Sequence, residues 1–460
     1  MTVASLLLLA TLAALTVSLG ARWRRREPDA GPDAALEGLV IQGALGLGLV
    51  GLAATGLAIA GVFSAMTLAG VCASLAATLW PWRLTAANAE SAAPSDPRVG
   101  WTLPAGLVVV LLGLAVRAPL HPADLAGRDQ GTYVLRAQHT LRTGAITYVD
   151  PVLAQASHDA AARARPGPAD LLGLYPTPHD GWRADLYEAP YRPGFYLADR
   201  ETGTVVPQFL HLHPMLLAVS GALFGARGLT WVMYWEAALT LLGCWAVTRR
   251  IWARRPIWAL LATSLYALAP LAIWVQRTPL SEGLVGMLLM AAALALVRAP
   301  AGDDDDPRAT WATLRCAALL GLTAWARGNL WMALPVVLLI LFLQTGRGRA
   351  RRASALLVAL AIASLITHAC TSFPYLHDEF RRQLALADGL PPARMIRAAL
   401  ACAVAWLALD GLVAPRLWRR PRLLRARAAI VRALPTLYLA LCLAALALYV
   451  WGRAGADASA

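Results

Sequence analysis

The fold is decided by an apolar run, WTLPAGLVVVLLGLAVRA (Trp101–Ala118), and the polar segment after it, GRDQGTYVLRAQHTLRTGAITYVD (Gly127–Asp150). The first run is long and apolar enough to cross a bilayer. The second opens the only long polar segment in a chain that is otherwise mostly apolar. An acid, an arginine, a glutamine and a tyrosine fall within six residues at the mouth of a membrane helix. This crowding indicates a site rather than a connector.

The composition predicts an all-α polytopic membrane protein. Hydrophobic residues make up 58% of the chain and charged residues 15%, whereas a soluble domain carries about a quarter charged residues. We predict about twelve transmembrane helices and three regions. These regions are N-terminal membrane helices with a cytoplasmic linker (1–100), a membrane core (101–345) and C-terminal membrane helices (346–460). The predicted spans lie near 1–20, 39–60, 62–80, 101–118, 228–248, 257–274, 280–298, 311–326, 329–344, 354–372, 395–413 and 430–451.

The basic residues predict which loops face the cytoplasm. The net charge is +14, all 41 basic residues are arginine, and many of them cluster in short loops. Such loops mark the cytoplasmic side of a membrane, so the positive charge does not predict a nucleic-acid partner. The apolar stretch 209–224 would reverse the side of every later basic loop if it crossed the membrane. We therefore predict an interfacial helix at 208–225 and a long outer loop at 119–207 with short juxtamembrane helices.

Several common kinds of site are not predicted by the sequence. The six cysteines stand singly in apolar runs, so neither a disulfide framework nor a zinc ribbon is indicated. Phosphate-binding loops of the Walker type and the GxSxG and HExxH motifs are also lacking. Nucleotide hydrolysis and the common peptidase mechanisms therefore lose support.

Asp129 is the first candidate for chemistry. It could cap a helix that begins in Asp-Gln-Gly-Thr-Tyr, which is a structural role. A carboxylate at a membrane interface beside Arg128 could also act as a general base or a metal ligand. Gln130 and Tyr133 are its nearest polar neighbours and are candidate substrate-binding residues.

Other candidate site residues lie in later segments that, like Asp129, are predicted to face the outer side of the membrane. His211 and His213 alternate, so we expect one to face the site and the other lipid headgroups. Glu282 enters a predicted span just after a turn, where a carboxylate is costly unless it is paired or faces a cavity. Arg277 is its nearest cationic partner in sequence. Arg327, in another outer hairpin, could bind phosphate or extend towards the membrane surface.

Several short segments, taken in order, resemble one family. They are Gly-Arg-Asp129-Gln-Gly-Thr-Tyr, Pro207-Gln-Phe-Leu-His-Leu-His-Pro, Phe224-Gly-Ala-Arg-Gly, Thr-Pro-Leu-Ser-Glu282 and Ala-Arg327-Gly-Asn-Leu-Trp-Met-Ala-Leu-Pro. This order is similar to the GT-C superfamily of integral-membrane glycosyltransferases, in the bacterial branch near glycosyltransferase family 39. The resemblance covers roughly residues 100–345. Many relatives have a second acid where this chain has Gln130, and fewer spans before the first outer loop.

The resemblance implies a GT-C-like fold and an inverting transfer of a sugar from a polyprenyl-phosphate donor. The acceptor would be a cell-envelope glycan, a lipid or a protein at the outer face of the bacterial cytoplasmic membrane. Asp129 matches the position of the family's catalytic acid, and Glu282 matches an acid at the next outer hairpin. A divalent metal such as Mg, Mn or Zn could be held by these two residues. The arginines at 128, 277 and 327 would stabilise the phosphate that leaves.

Two other functions remain open from the sequence. A flippase or transporter of lipid-linked sugars would need polar residues through the membrane midplane. Glu236 and Asp410 are the residues that fit this requirement, although most ionisable residues gather at one predicted face. A catalytically inactive membrane scaffold is the second alternative, because Gln130 replaces the second acid.

Overall fold

The computed structural model describes 2–26, 32–79, 101–121, 128–158, 187–188, 195–199, 202–298, 307–344, 347–373, 375–376 and 392–413, and positions 429 and 433. The predicted span at 430–451 lies almost wholly outside the described residues, and the predicted linker at 83–100 lies wholly outside them. The helices are α1 (Val3–Arg26), α2 (Pro32–Ile59), α3 (Ala65–Leu79), α4 (Thr102–Val116), α5 (Arg128–Thr143), α6 (Pro151–His158), α7 (Leu212–Phe224), α8 (Val232–Ile251), α9 (Pro256–Leu268), α10 (Pro270–Arg277), α11 (Ser281–Arg298), α12 (Pro307–Ala326), α13 (Asn329–Gln344), α14 (Arg347–Thr371) and α15 (Pro392–Ala408).

The described chain is mostly helical, and several helices are long and apolar enough to cross a membrane. Four meet this condition singly: Ala34–Ile59, Ser281–Arg298, Gly348–Thr371 and Ala393–Leu412. A fifth span would be formed by α9 and α10 together. The chain therefore has the character of an all-α membrane protein. The count of twelve spans and the GT-C-like arrangement remain predictions.

Helix α7 lies in the centre of the helix bundle. Eleven of its thirteen residues are buried, and it packs against α2, α5 and α1. The predicted helix at 208–225 is therefore present, and most of it is enclosed by protein. Its position relative to a membrane surface stays a prediction. Apart from His213 and Ser220 its side chains are apolar, and a helix that is apolar on most sides is stable when protein or lipid covers it. The N-terminal helices supply part of that cover and share one hydrophobic core with the rest.

A small antiparallel sheet lies in the polar region between α5 and α7, where the sequence analysis predicted only short helices. Its strands are β1 (Tyr148–Val149), β2 (Tyr187–Glu188), β3 (Phe195–Asp199) and β4 (Thr204–Pro207), in the order β1-β4-β3-β2. Gly203 closes the β3–β4 turn with φ +69°, and a Cβ there would lie 2.3 Å from the carbonyl oxygen of Asp150. The sheet helps to position the candidate site, because β4 leads directly into the segment 208–211.

The predicted span at 257–274 is broken in the middle. Helices α9 and α10 meet at an angle of 58°, because Pro270 lacks an N–H and clashes with the preceding turn. Arg117, which is fully buried, donates to the carbonyl oxygen of Ala267 at 2.9 Å and to Gln276 Oε1 at 2.5 Å. It thereby satisfies a carbonyl at the break and fixes α4 against both halves of the bent pair.

A buried ion cluster joins three helices at one end of the bundle. Glu37 of α2 binds Arg250 at the end of α8 and Arg298 at the end of α11. The side chains of Glu37 and Arg298 are 5% and 9% exposed, whereas that of Arg250 is 38% exposed. Removing Glu37 would therefore leave the buried guanidinium group of Arg298 without this partner. Helix α11 begins at the opposite end, about 27 Å away at 1.5 Å per residue. That opposite end carries the candidate site described below.

Exposed tryptophans lie near the two ends of the bundle, as in the interfacial belts of membrane proteins. One set lies at the end that carries the Glu37 cluster, and the other lies at the opposite end. The first set comprises Trp101, Trp252, Trp258 and Trp311, and the second comprises Trp231, Trp235 and Trp274. This distribution agrees with helices that cross a membrane from one belt to the other.

Gly106 is a close-packing position whose replacement tests the arrangement of α4 on α8. A Cβ at Gly106 would lie 2.7 Å from Cε2 of the buried Trp245 ring, which is rigid. We expect Gly106→Ala to lower the free energy of unfolding by about 1–3 kcal/mol through overpacking. The measurement is thermal unfolding in detergent. The matched control is Gly56→Ala, where a Cβ meets nothing within 4 Å, and which we expect to be neutral or stabilising.

Candidate functional site

A polar cavity of about 140 Å³ opens at the end of the bundle where α5, α11 and α12 meet the segment after β4. Two carboxyl groups, one guanidinium group and three aromatic rings face it. Its lining consists of Asp129, Tyr133, Phe209, Leu210, Leu280, Ser281, Glu282, Ala326, Arg327 and Tyr375. Residues that are far apart in sequence therefore converge on one small volume.

The two acids of the cavity both lie in the first turn of a helix. Asp129 is in the first turn of α5 and Glu282 in the first turn of α11, where the helix dipole favours negative charge. Because α5 begins at Arg128, Asp129 is inside the helix rather than at the capping position. It is exposed, so its carboxylate is open to a ligand.

Glu282 forms an ion pair with Arg327, which follows the end of α12. The side chains of Glu282 and Arg327 are 38% and 41% exposed, so the pair remains open to the cavity. Burial alone would lower the pKa of Arg327, but Glu282 opposes this and the net result is a raised pKa. Arg327 is therefore a permanent cation with guanidinium N–H groups left for a ligand.

Tyr133 connects the two helices that carry the acids. Its hydroxyl group lies 3.2 Å from Ser281 Oγ, which lies 3.5 Å from Glu282 Oε2. Burial raises the pKa of Tyr133 to about 12, so the phenol stays protonated near neutral pH. It is one turn after Asp129 on α5, on the same side of the helix. The aromatic wall of the cavity begins with this ring.

The aromatic wall is a row of three rings with Phe209 in its middle. Phe209 stacks on Tyr133 with a centroid distance of 4.9 Å and an interplanar angle of 26°. Tyr375 approaches Phe209 in a T-shaped arrangement at 5.2 Å. Phe209 has φ +67°, a left-handed conformation that is strained for a bulky residue. Strain of this kind persists only where the surroundings impose it, and it often marks a functional site.

Arg136 holds the backbone around Phe209 in place. Its Nη1 donates to three consecutive carbonyl oxygens, those of Gln208, Phe209 and Leu210, at 2.7, 3.2 and 3.1 Å. The residue is only 2% exposed. Burial lowers its pKa to about 9, so it remains a cation at neutral pH. Among the described residues Arg136 forms no ion pair, and backbone carbonyls carry much of its hydrogen bonding.

A histidine pair extends this buried network to α14. Nδ1 of His368 donates to the Ser364 carbonyl at 2.7 Å, and its Nε2 accepts the backbone N–H of His211 at 3.1 Å. Nδ1 of His211 lies 2.6 Å from Arg136, which can only donate, so His211 Nε2 donates to Thr371 Oγ1 at 2.5 Å. The hydrogen-bond pattern thus assigns both imidazoles as neutral.

A second buried pair lies behind Tyr133. His213 Nδ1 is 3.4 Å from Glu236 Oε1, an ion-pair distance without hydrogen-bond geometry. The His213 ring meets Tyr133 edge-on at 5.2 Å. Glu236 lies under the start of α11, because a Cβ at Gly283 would be only 3.2 Å from Glu236 Oε2. Neither ring nitrogen of His213 has a hydrogen-bond partner among the described residues.

The structure brings four of the predicted site residues to the cavity. They are Asp129, Tyr133, Glu282 and Arg327. Each comes from a segment that the sequence analysis selected, and helices α5, α11 and α12 bring them together. The predicted partner of Glu282 was Arg277, but the structure pairs it with Arg327 instead.

The other predicted site residues lie elsewhere. Arg277 is half-buried and donates to the carbonyl oxygen of Pro119 at 3.2 Å, and Gln130 is half-buried on α5 outside the cavity lining. His211 and His213 are fully buried, so the expectation that one faces the site and the other lipid headgroups is wrong. The cause is the complete enclosure of α7 and its first residues. The side chain of Arg128 lies outside the described part of the structure.

The sequence analysis selected most of the segments that line the cavity but missed several residues in and near it. Phe209 and Ser281 stand in the quoted segments Pro207-Gln-Phe-Leu-His-Leu-His-Pro and Thr-Pro-Leu-Ser-Glu282, and both line the cavity. Neither Tyr375, which lines the cavity, nor Arg136, which holds Phe209, was predicted as a site residue. An arginine on an amphipathic helix usually faces water, so the sequence carried no direct signal that Arg136 is buried.

The described residues do not provide a complete metal site. Within them, histidine, cysteine, aspartate and glutamate form no group of three that could hold an ion. Asp129 and Glu282 offer carboxylate oxygens to the same cavity, but one oxygen of Glu282 binds Arg327. The described part of the cavity therefore provides an incomplete set of ligands, which phosphate oxygens could complete.

Comparison of the chain with protein-family models, curated proteins and solved structures finds no match.

The exposed pair Glu282–Arg327 should contribute little to stability. We expect Glu282→Gln and Arg327→Gln each to lower the free energy of unfolding by less than about 1 kcal/mol, because solvent screens the pair. Thermal unfolding in detergent measures this. Glu37→Gln serves as the comparison, since its buried cluster should cost about 3–5 kcal/mol when broken. If all three substitutions lowered the free energy of unfolding equally, the Glu282–Arg327 pair would have a structural role and this expectation would be wrong.

Proposed function

We propose that the protein is an inverting glycosyltransferase that takes a sugar from a polyprenyl-phosphate donor at the outer face of a bacterial cytoplasmic membrane. The observation that carries the proposal is the convergence of Asp129, Glu282 and Arg327 on one cavity at the end of a helix bundle. These residues come from three of the segments that resemble the GT-C superfamily. The cavity thus combines a free carboxylate, a cation and a wall of aromatic rings.

The proposed chemical step uses the exposed carboxylate and the cation separately. An acceptor hydroxyl attacks the anomeric carbon of the donor while its proton passes to the carboxylate of Asp129. The bond between the anomeric carbon and the phosphate oxygen breaks, and its electron pair leaves with the lipid phosphate. Arg327 stabilises the negative charge that develops on this leaving group. The sugar ends bonded to the acceptor with inverted configuration.

The position of the cavity suits a donor with a lipid tail. It opens at one end of the bundle, near the exposed tryptophans Trp231, Trp235 and Trp274 that would lie in one membrane interface. A polyprenyl chain could remain among membrane lipids while its phosphate reaches Arg327. The opposite end carries Arg249, Arg254 and Arg255, which favours the cytoplasm for that end. The acceptor remains unspecified among a glycan, a lipid and a protein.

A divalent metal is a separate part of the proposal. Asp129 and Glu282 could hold Mg²⁺, Mn²⁺ or Zn²⁺ together with phosphate oxygens of the donor, since no third ligand stands beside them among the described residues. A bound ion would add positive charge beside the leaving phosphate. The step written above requires only the side chains of the chain itself.

Asp129→Asn tests the proposed base. We expect at least about a 100-fold loss of transfer with little change in stability, because the amide cannot accept the proton and Asp129 is exposed. The measurement is release of lipid phosphate from a panel of polyprenyl-phosphate sugars by purified protein in nanodiscs. The panel is assayed with and without EDTA, which tests the metal.

Asp150→Asn is the matched control for that experiment. Asp150 caps α6 by accepting the backbone N–H of Val152 at 2.9 Å, and asparagine caps helices equally well. It does not line the cavity, so its amide should leave transfer unchanged. Full activity of Asp129→Asn, or equal loss in both variants, would refute Asp129 as the base.

Transport of a lipid-linked sugar is a second candidate, and the buried pair His213–Glu236 favours it. Ionisable residues inside a helix bundle are often part of transport or proton pathways. This pair lies directly behind Tyr133 of the cavity wall. Movement of a fluorescent lipid-linked sugar across proteoliposomes, without lipid-phosphate release and with a loss in Glu236→Gln, would favour transport.

A further inference from the structure

The cavity has two chemically different walls. Phe209 and Tyr375 form an apolar aromatic wall, while Asp129, Glu282 and Arg327 form a polar one. The polar wall carries two acids and one cation, so its formal charge is −1. The faces of aromatic rings are negative and attract the slightly positive hydrogens of C–H bonds. A matching ligand therefore has a flat C–H face on one side and hydroxyl groups on its edge.

The backbone conformation of Phe209 belongs to the construction of this wall. In the extended or helical conformations that a bulky residue prefers, the chain direction at 209 would differ, and with it the direction of the ring. The observed φ of +67° accompanies a ring that stacks on Tyr133 and lines the cavity. The strain is offset by the three carbonyl contacts of Arg136, which bind the residues on both sides of it.

Arg136 is not part of the cavity lining and acts through Phe209. Its remaining nitrogen contact, with His211 at 2.6 Å, fixes the guanidinium group from the side of α14. Lysine could still place a positive charge among the carbonyls, whereas a neutral glutamine would leave them without a cation. A comparison of lysine with glutamine at position 136 therefore distinguishes a positioning role, which needs the positive charge, from a role in packing alone.

We infer that the cavity binds a neutral pyranose ring, with its C–H face against Phe209 and Tyr375 and its hydroxyl edge towards Asp129, Glu282 and Arg327. Arg136 is the positioning residue that orients Phe209 for this contact. The inference rests on the proposed function and specifies its sugar. A furanose is puckered and presents no equally flat C–H face. A uronic acid would add a carboxylate to the edge that faces the two acids Asp129 and Glu282, while Arg327 serves the donor phosphate.

Binding can be measured without turnover by saturation-transfer difference NMR on the full-length protein in nanodiscs. The ligands are a methyl pyranoside, a methyl furanoside and a methyl glycoside of a uronic acid, each at millimolar concentration. We expect saturation of the ring protons on one face of the pyranoside, and at least fivefold weaker signals for the other two. Protein-free nanodiscs set the background.

Two pairs of variants assign the signal to the aromatic wall. Phe209→Ala should reduce the pyranoside signal to background, while Phe209→Tyr should retain it because the ring remains. Arg136→Gln should weaken binding at least fivefold, and Arg136→Lys should restore part of it. Thermal unfolding is measured for each variant to verify that it folds. If Arg136→Gln does not fold, the comparison of Phe209→Ala with Phe209→Tyr still decides the site.

The outcomes separate this inference from the proposed function. Pyranoside saturation that requires Phe209 supports the sugar site even if no donor releases its lipid phosphate, in which case the transferase proposal fails alone. Lipid-phosphate release without selective pyranoside saturation overturns the sugar site and leaves the transferase intact. Equal saturation by all three glycosides, or full saturation in Phe209→Ala, also overturns the sugar site.

Discussion

The guanidinium group of Arg136 is the interaction on which the geometry of the site depends. It binds three consecutive carbonyl oxygens in the segment between β4 and α7 and contacts His211 on the other side. In a buried region each of these carbonyls would otherwise lack a partner, at a cost of several kcal/mol in total. The cation therefore stabilises a chain path that includes one strained residue. Without it, the path of the chain into α7 would not be fixed.

The consequences extend to the remainder of the bundle. Helix α7 starts directly after this segment and forms the buried centre against which α1, α2 and α5 pack. Through His211 the same network reaches His368 and Thr371 on α14. The side chains of Arg136, His211 and His368 thus have hydrogen-bond partners inside the protein, whereas the ring nitrogens of His213 behind Tyr133 have none among the described residues. The exposed pair of the cavity, Glu282 and Arg327, can change partners when a ligand enters, since both side chains still reach solvent.

The two ends of α11 carry ion pairs that differ in exposure to solvent. Arg298 at one end is held by the buried Glu37 cluster, whereas Glu282 at the other end meets a half-exposed arginine. Breaking a buried ion pair is costly, and breaking an exposed pair is not. The structure therefore places its rigid charges at the end away from the cavity and its accessible charges beside the cavity.

The sequence by itself determined the all-α membrane character of the protein, the positions of most helices and most of the segments that line the cavity. Apolar runs of fixed length and an acid at the start of a helix are local features, so the sequence predicts them well. It selected Asp129, Tyr133, Glu282 and Arg327, which the structure brings together. Only the tertiary structure decided that Arg327 rather than Arg277 pairs with Glu282, and that α7 is buried. It alone revealed the left-handed Phe209 and the enclosed Arg136, because burial and backbone strain arise from neighbours that are distant in the sequence.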